Sequence, residues 1–175
     1  MTRRIVLTGA PGAGKTSIAL ALRAAGHVVV DEAATDVIGA TPQLEADGPA
    51  FLDRIVAVQR QRQLAARGPV QVFDRSPVCT LALAVYSGLP PTAALAAEAA
   101  RIAREGTYER RVLFVRLMGF IVPTAARRIS LAESERFERI HADVYRGLGY
   151  ELVEVPPGSL EDRVAQVAAF LAGSG

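Results

Sequence analysis

The stretch LTGAPGAGKTS, residues 7–17, decides the fold, because it carries a short pattern at the junction of an apolar run and an amphipathic one. The pattern is G-x-x-x-x-G-K-[ST], and it is met here by Gly9, Gly14, Lys15 and Thr16. In such loops the glycines let the backbone wrap around phosphate groups, and the N–H groups of the loop and of the following helix face the negative charge. The sequence therefore predicts a strand, a phosphate-binding loop and a helix, in that order.

Lys15 is the only lysine of a chain that otherwise uses arginine as its strongly basic residue. A lysine ammonium is a compact charge on a flexible stem that can reach the β- and γ-phosphates, and the bulkier planar guanidinium does not replace it cleanly. We therefore predict a catalytic role for Lys15 and a Mg²⁺-binding role for the Thr16 hydroxyl. The residues predicted to bind ATP are Gly9, Ala10, Pro11, Gly12, Ala13, Gly14, Lys15, Thr16 and Ser17.

The composition excludes several classes of protein. The chain has 175 residues, a formal net charge of +2 and one cysteine, which rules out an internal disulfide framework. No apolar run approaches the roughly 18 residues of a membrane span, and the glycine loop follows the N-terminus too closely for a signal peptide. The arginines are scattered, which gives little support for nucleic-acid binding. We expect a single cytoplasmic domain over residues 1–175 with neither nucleic acid nor membrane as partner, and no pattern specifies its oligomeric state.

Short apolar runs alternate with longer amphipathic ones, which is the pattern of a parallel α/β sheet. The predicted strands are 4–8, 27–30, 70–74, 111–118 and 150–155. The predicted helices are 15–25, 49–67, 76–87, 92–105, 130–147 and 160–171. Residues 33–47 are rich in turn-forming residues and receive no assignment. The sequence thus predicts a three-layer α/β fold in which a five-stranded parallel sheet carries helices on both faces.

Three carboxylates follow predicted strands, at the edge where open α/β sheets bind their ligands. Asp74 ends an apolar strand, a usual position for an aspartate that binds Mg²⁺ or orients its waters, although it could instead cap the helix that begins at 76. Glu32 is predicted to act as the base that takes a proton from an acceptor hydroxyl, although it could be a solvated side chain. Asp31 is the weaker candidate and is assigned to substrate binding.

Arginines in two places are candidates for binding the reacting phosphates or the acceptor. Arg75 follows Asp74 and is assigned to substrate binding. Arg127 and Arg128 lie in an irregular stretch, and we predict that they belong to a short lid at about 119–129. Arginines on such a lid would neutralise charge that develops in the transition state. The alternative is that adjacent arginines form a solvated surface.

Two polar residues continue the apolar rows of the predicted helix at 49–67. Gln59 follows the row of Leu52 and Val56, and Arg62 lies on the row beside it. Polar groups on an inward face indicate a pocket wall, so both are assigned to substrate binding. The alternative is that the helix emerges from the core at this point.

Four segments resemble a known family: IVLTGAPGAGKTS (5–17), GHVVVDEAA (26–34), QVFDRSPVCTLALAVYSG (71–88) and RRISLAESERFERIHADVYRGLGYELVEVP (127–156). They are similar, in this order, to the small P-loop AAA-like ATPase/kinase family related to the nicotinamide-riboside kinase domain of NAD-biosynthesis proteins. The resemblance covers nearly the whole chain. The FDR strand end and the LGYELVEVP tail are more specific than the glycine loop, which many NTPases share.

This resemblance implies a nucleoside- and nucleotide-kinase-like fold with strand order 2-3-1-4-5, a lid before the fifth strand, and ATP–Mg²⁺ phosphoryl transfer to a small acceptor. By similarity, Glu32 matches the acid that serves as base in deoxynucleoside kinases. Asp74 and Arg75 match the acid–arginine pair after the third strand, and Arg127 and Arg128 match lid arginines. The chain departs from related lids, which often carry an acid just before the arginines, because VPTAARR has none there.

The leading hypothesis is a kinase that transfers the γ-phosphate of ATP to a hydroxyl of a small metabolite, such as a nucleoside or nucleotide. The alternative is a regulatory P-loop NTPase that binds or hydrolyses ATP and acts through a macromolecular partner. DVIG (36–39) fits the D-x-x-G spacing of GTPases, but a chain without asparagine cannot contain the guanine-reading N-K-x-D motif. A polynucleotide end kinase would need a basic groove, which the sequence does not indicate.

Overall fold

The computed structural model describes residues 2–41, 44, 48–119 and 129–173 of the chain. Its centre is a five-stranded sheet whose strands, numbered along the chain, lie in the order 2-3-1-4-5. Every neighbouring pair of strands runs parallel, so the order 2-3-1-4-5 implied by the family resemblance is confirmed. The strands are β1 (Arg3–Thr8), β2 (Val28–Val30), β3 (Val70–Asp74), β4 (Arg111–Val115) and β5 (Glu151–Val155).

Helices connect the strands and cover both faces of the sheet, as predicted. Those within the described residues are α1 (Lys15–Ala24), α2 (Ala34–Ala40), α3 (Pro49–Ala65), α4 (Pro77–Tyr86), α5 (Ala93–Glu105), α6 (Leu131–Gly147) and α7 (Leu160–Gly173). None of the helices in this part of the chain is both long enough and apolar enough to cross a membrane.

The central strand β1 explains why the core has two layers. Its residues alternate between the faces of the sheet, and Ile5 packs in one apolar cluster whereas Val6 packs in the other. The first cluster includes Ile18 of α1 and Val167 of α7. The second includes side chains from α4, α5 and α6, such as Tyr145. Because both faces of the sheet are covered, the sequence of β1 is a nearly continuous apolar run rather than an alternating one.

Two elements differ from the sequence prediction. Residues 34–40, left without assignment, form α2, whose N-cap residue Ala33 has no side chain that could cap a helix. The strand predicted at 111–118 ends at Val115. Arg116 N still donates to Val155 O at 3.0 Å, but Leu117 N donates to the Glu138 carboxylate instead. A side chain of α6 thus accepts the hydrogen bond that a neighbouring strand would otherwise accept, and the ladder of backbone hydrogen bonds ends here.

Candidate functional site

The carboxyl ends of three adjacent strands meet at one cleft. Since β1 pairs with β3 and β3 pairs with β2, the segments that follow these strands lie side by side. They enclose a cleft of about 500 Å³. The predicted site residues that line it are Pro11, Gly12, Gly14, Lys15, Thr16, Ser17, Glu32, Asp74 and Arg75. The fold therefore brings together the phosphate-binding loop and two of the three candidate carboxylates.

The loop owes its shape to close packing beneath it. A Cβ atom on Gly9 would lie 2.3 Å from the carbonyl oxygen of Val115, and Gly9 has φ +141°. Only glycine fits where β4 approaches this closely. Ala10 and Ala13 are fully buried, and with Gly9 they form the base of the loop rather than the cleft wall. Gly14 is the N-cap residue of α1 with φ 89°, so the helix begins directly at the cleft.

Lys15 lies buried in the cleft and has no carboxylate partner among the described residues. Its side chain is 6% exposed, and Nζ donates to the carbonyl oxygen of Ala10 at 2.8 Å. Burial, reinforced by the positive charge of Arg75, lowers the pKa of Lys15 to about 7. Asp74 and Glu32 favour the charged form but act from a distance, since Lys15 forms no ion pair among the described residues. The ammonium is therefore available to an incoming anion.

Glu32 forms an ion pair at the edge of the cleft. Its Oε1 lies 2.6 Å from Nε of Arg75, and its Oε2 accepts a hydrogen bond from Thr35 Oγ1 at 3.3 Å. The adjacent guanidinium of Arg75 lowers the pKa of Glu32 below its usual range. Arg75 itself has φ 76°, a strained conformation for a residue with a side chain. The strained turn directs the guanidinium towards Glu32 and keeps the carboxylate ionised.

Asp74 is a buried carboxylate with an unused oxygen. It ends β3 opposite Leu7 and is 8% exposed, with an Oδ1 that has no hydrogen-bond partner within the described part of the chain. Burial raises the pKa of this carboxyl. The helix after it is capped by Ser76, so the structure does not use Asp74 as the N-cap.

An unpartnered oxygen in the same cleft as the Thr16 hydroxyl fits a Mg²⁺ ion. Mg²⁺ is usually held by one or two protein oxygens together with phosphates and waters. The residues described contain no group of three or more His, Cys, Asp or Glu side chains that could hold a metal on their own. Thr16 and Asp74 could therefore supply the protein's share of a site that nucleotide phosphates complete.

A second, apolar pocket of about 170 Å³ adjoins the cleft and shares Glu32 and Arg75 with it. Gln59 of α3 is 9% exposed and lines this pocket. Its Oε1 accepts a hydrogen bond from Thr80 Oγ1 at 3.1 Å. The apolar residues of its wall are Pro11, Ala34, Ile38, Phe51, Ile55, Leu83 and Phe137.

Two predicted substrate-binding residues line neither cavity. Arg62 donates through Nη1 to the carbonyl oxygens of Asp31 at 2.9 Å and Glu32 at 2.8 Å, and it also pairs with Asp36. The carboxylate of Asp31 pairs with Arg23 at 2.5 Å. Arg62 thus holds the segment that carries Glu32. The two arginines predicted to belong to a lid, Arg127 and Arg128, lie outside the described residues.

Several residues of the site were absent from the sequence prediction. Thr35 and Ile38 belong to α2, which lacks a capping signal. Tyr86 and Phe137 line the cleft, and their rings make an edge-to-face contact with 4.8 Å between centroids. Cys79, the single cysteine of the chain, supports packing, because its Sγ lies 3.1 Å from Tyr145 Oη. A sequence shows the apolar character of such positions but not the cavity they surround.

A family model described as an AAA domain matches residues 4–163. The chain belongs to this AAA domain family. No curated protein sequence matches the chain. The predicted nucleoside-kinase-like fold is confirmed by this family match together with two kinds of solved structure.

The solved structures share the fold of this AAA domain at low identity. Deoxyadenosine kinase from M. mycoides with bound products is 12% identical, with a TM-score of 0.61 over 98% of this chain and 100% of its own. The same enzyme with bound dATP is 13% identical with a TM-score of 0.59, over 97% of this chain and 100% of its own. NadR in complex with NR is 13% identical, with a TM-score of 0.66 over 99% of this chain and 52% of the NadR chain. The three-layer P-loop kinase fold is therefore established, and these identities show the fold alone.

Proposed function

We propose that the protein is a Mg²⁺-dependent kinase that transfers the γ-phosphate of ATP to a hydroxyl of a small, uncharged metabolite of the nucleoside class. One observation carries this proposal: an apolar pocket opens beside the phosphate-binding loop, and an ionised carboxylate, Glu32, lies at their junction. A nucleotide switch needs only the loop. A phosphotransferase also needs a place for the acceptor and a proton acceptor next to it.

The loop side of the cleft would bind the phosphates of ATP. The backbone N–H groups at the start of α1 and the ammonium of Lys15 supply positive charge. Thr16 and Asp74 would hold Mg²⁺, which supplies charge neutralisation on the transferred phosphoryl group. The energy of binding here comes from matching uncompensated charges, since Lys15 and Asp74 lack ion-pair partners among the described residues.

The pocket side would bind the acceptor with its hydroxyl towards Glu32. A carboxylate with a lowered pKa is ionised at neutral pH, so it can orient the hydroxyl and take its proton late in a loose phosphoryl transfer. The apolar wall, including Phe137, suits a flat heterocycle. The amide nitrogen of Gln59 can donate to it, since Oε1 already accepts from Thr80. The solved structures with this fold, a deoxyadenosine kinase and NadR in complex with NR, support a nucleoside-like acceptor.

The charge of the pocket favours an acceptor without a phosphate group. Of the side chains that line the pocket, Arg75 is the one cation among the described residues, and it is paired with Glu32 at 2.6 Å. A monophosphate acceptor would have to compete with Glu32 for this guanidinium. A neutral nucleoside leaves the pair intact, which is why we favour a nucleoside over a nucleotide.

The test is ADP formation from Mg·ATP by the purified protein with a panel of nucleosides, nucleoside monophosphates and other hydroxyl metabolites. We expect ADP release to depend on a nucleoside and to match the phosphorylated product in amount. Lys15→Met, which keeps the side-chain length but removes the charge, is the control that assigns turnover to this cleft. ATP hydrolysis that no acceptor stimulates would instead establish the regulatory NTPase.

A further inference from the structure

Arg163 is a buried cation that neither cavity explains. It lies in the second turn of α7 and is 5% exposed. Its Nη2 donates to the carbonyl oxygen of Arg116 at 3.0 Å, and its Nη1 contacts Sδ of Met118 at 3.3 Å. Nε is buried and has no partner, and no ion pair to Arg163 exists in the described part of the chain. Burying a charge without a counter-charge costs free energy, so a buried arginine of this kind indicates a specific role.

The guanidinium lies directly behind the phosphate-binding loop. A Cβ atom on Gly14 would be 3.0 Å from Nη1 of Arg163. Gly14 is the N-cap residue of α1, and the N-terminus of a helix carries partial positive charge. The free protein thus places a cation against the positive end of a helix. Two like charges so arranged repel each other in the free protein, and a bound anion would relieve this repulsion.

The other side of Arg163 is attached to a rigid segment at the end of β4. Arg116 N donates to Val155 O at 3.0 Å, and Leu117 N donates to Glu138 Oε1 at 2.8 Å. The Arg116 guanidinium also pairs with Glu138, at 3.3 Å. Since two neighbouring elements, β5 and α6, fix this segment, a side chain bound to it is fixed as well. Arg163 therefore presents its charge to Gly14 at a defined position.

We propose that Arg163 is a positioning residue for the nucleotide phosphates: it fixes the Gly14 turn against the end of β4 and adds an uncompensated positive charge behind the loop. This inference rests on the proposed nucleotide binding and is independent of the acceptor's identity. It accounts for the three features above, namely the burial, the missing counter-charge and the contact with the loop.

The test compares neutral and charged replacements by calorimetric titration with Mg·ATP at low and high salt. Arg163→Met and Arg163→Gln remove the charge, whereas Arg163→Lys retains it. The matched control is Arg3→Met, because Arg3 donates to Leu171 O of the same helix at 2.8 Å but far from the loop. We expect both neutral variants to bind Mg·ATP about tenfold more weakly, as for loss of a charged partner, and with a smaller salt dependence. Arg163→Lys and Arg3→Met should remain within about threefold of the wild type.

The outcomes separate this inference from the proposed function. Wild-type affinity in both neutral variants would overturn the role of Arg163 and leave the kinase proposal untouched. Equal losses in the neutral and lysine variants, with unchanged salt dependence, would also overturn it, because the loss would then follow packing rather than charge. A wild-type protein that binds no Mg·ATP would refute both. Gln serves as the second neutral variant if the Met variant does not fold.

Discussion

Two adjoining cavities share Glu32 and Arg75, but they differ in whether their charged side chains are paired. In the cleft, the Lys15 ammonium hydrogen-bonds to a backbone oxygen and to no carboxylate among the described residues, and Asp74 keeps an unpartnered Oδ1 there. In the pocket, the arginine and the carboxylate neutralise each other at 2.6 Å. Unbalanced charges are costly until a charged ligand completes them, whereas a balanced pair requires nothing from a ligand. The difference indicates that the cleft is built for an anion and the pocket for a neutral molecule.

The largest expected effect comes from Glu32→Gln, which breaks the balanced pair at the junction. Removal of a general base typically slows turnover by about 100- to 10,000-fold. We expect a loss in this range with Mg·ATP affinity nearly unchanged, because the phosphates bind on the loop side. Steady-state kinetics with the identified acceptor measures the turnover rate, and titration with Mg·ATP measures the nucleotide affinity. Near-normal turnover would transfer the role of base to Asp74, since Asp31 lines neither cavity.

The matched control for that variant is Asp74→Asn, a substitution of the same kind on the other side of the junction. It should raise the half-saturating Mg²⁺ concentration by about tenfold or more, the usual scale for a changed metal-binding carboxylate or its support. Glu32→Gln should leave the Mg²⁺ dependence unchanged. If both variants changed Mg²⁺ dependence alike, the two cavities would not be chemically distinct.

A pH titration tests the unbalanced charge of the cleft. The pKa of Lys15 is lowered to about 7 in the free protein, and a bound phosphate would raise it by favouring the ammonium. Mg·ATP affinity should therefore be full below about pH 7 and fall as the pH rises above it, by at most about tenfold per pH unit. Glu32, whose pKa is lowered, stays ionised over this range and adds no slope.

Calorimetry in buffers of different ionisation enthalpy would detect the proton that is taken up on binding above pH 7. Lys15→Met should bind weakly with little pH dependence between pH 7 and 9. An unchanged affinity across this range in the wild type would show that Lys15 is already charged in the free protein.

The smallest expected effect comes from Gln59→Leu in the neutral pocket. The substitution removes the amide that could donate to the acceptor and leaves Thr80 without its acceptor oxygen. We expect KM for the acceptor to rise about tenfold while Mg·ATP affinity stays constant, as for loss of one or two neutral hydrogen bonds. Thr80→Val, which breaks only the bond between the two side chains, should cost less. A change in Mg·ATP affinity would instead show that Gln59 acts on nucleotide binding in the cleft and not on the acceptor.

The features predicted correctly from sequence are those encoded by neighbouring residues. The glycine loop is a local pattern, and the capping box at the start of α6 is visible because Ser130 and Glu133 are three residues apart. Apolar runs reveal strands that are covered on both faces. These local signals were enough for the order of elements, whereas phosphate binding by the loop stays a prediction.

The features missed depend on residues distant in sequence. Arg62 lies on the inward row that indicated a pocket wall, but its partners are carbonyl oxygens 30 and 31 residues away. Arg163 occupies an ordinary position in an amphipathic helix, and its contact with Arg116 spans 47 residues. No spacing rule connects such pairs. Which cavity a side chain faces, and whether its charge is balanced, follow only from the tertiary packing.

The buried lysine has a consequence for chemical labelling. An amine with a pKa of about 7 is largely unprotonated, and thus nucleophilic, in mildly alkaline buffer. Other lysine side chains usually titrate near 10.4 and would compete in an ordinary protein, but this chain has no other lysine. Small acylating reagents that enter the cleft should therefore modify a single side chain, at the point where phosphates would bind. The rate of that modification would report directly on whether the cleft is empty or occupied.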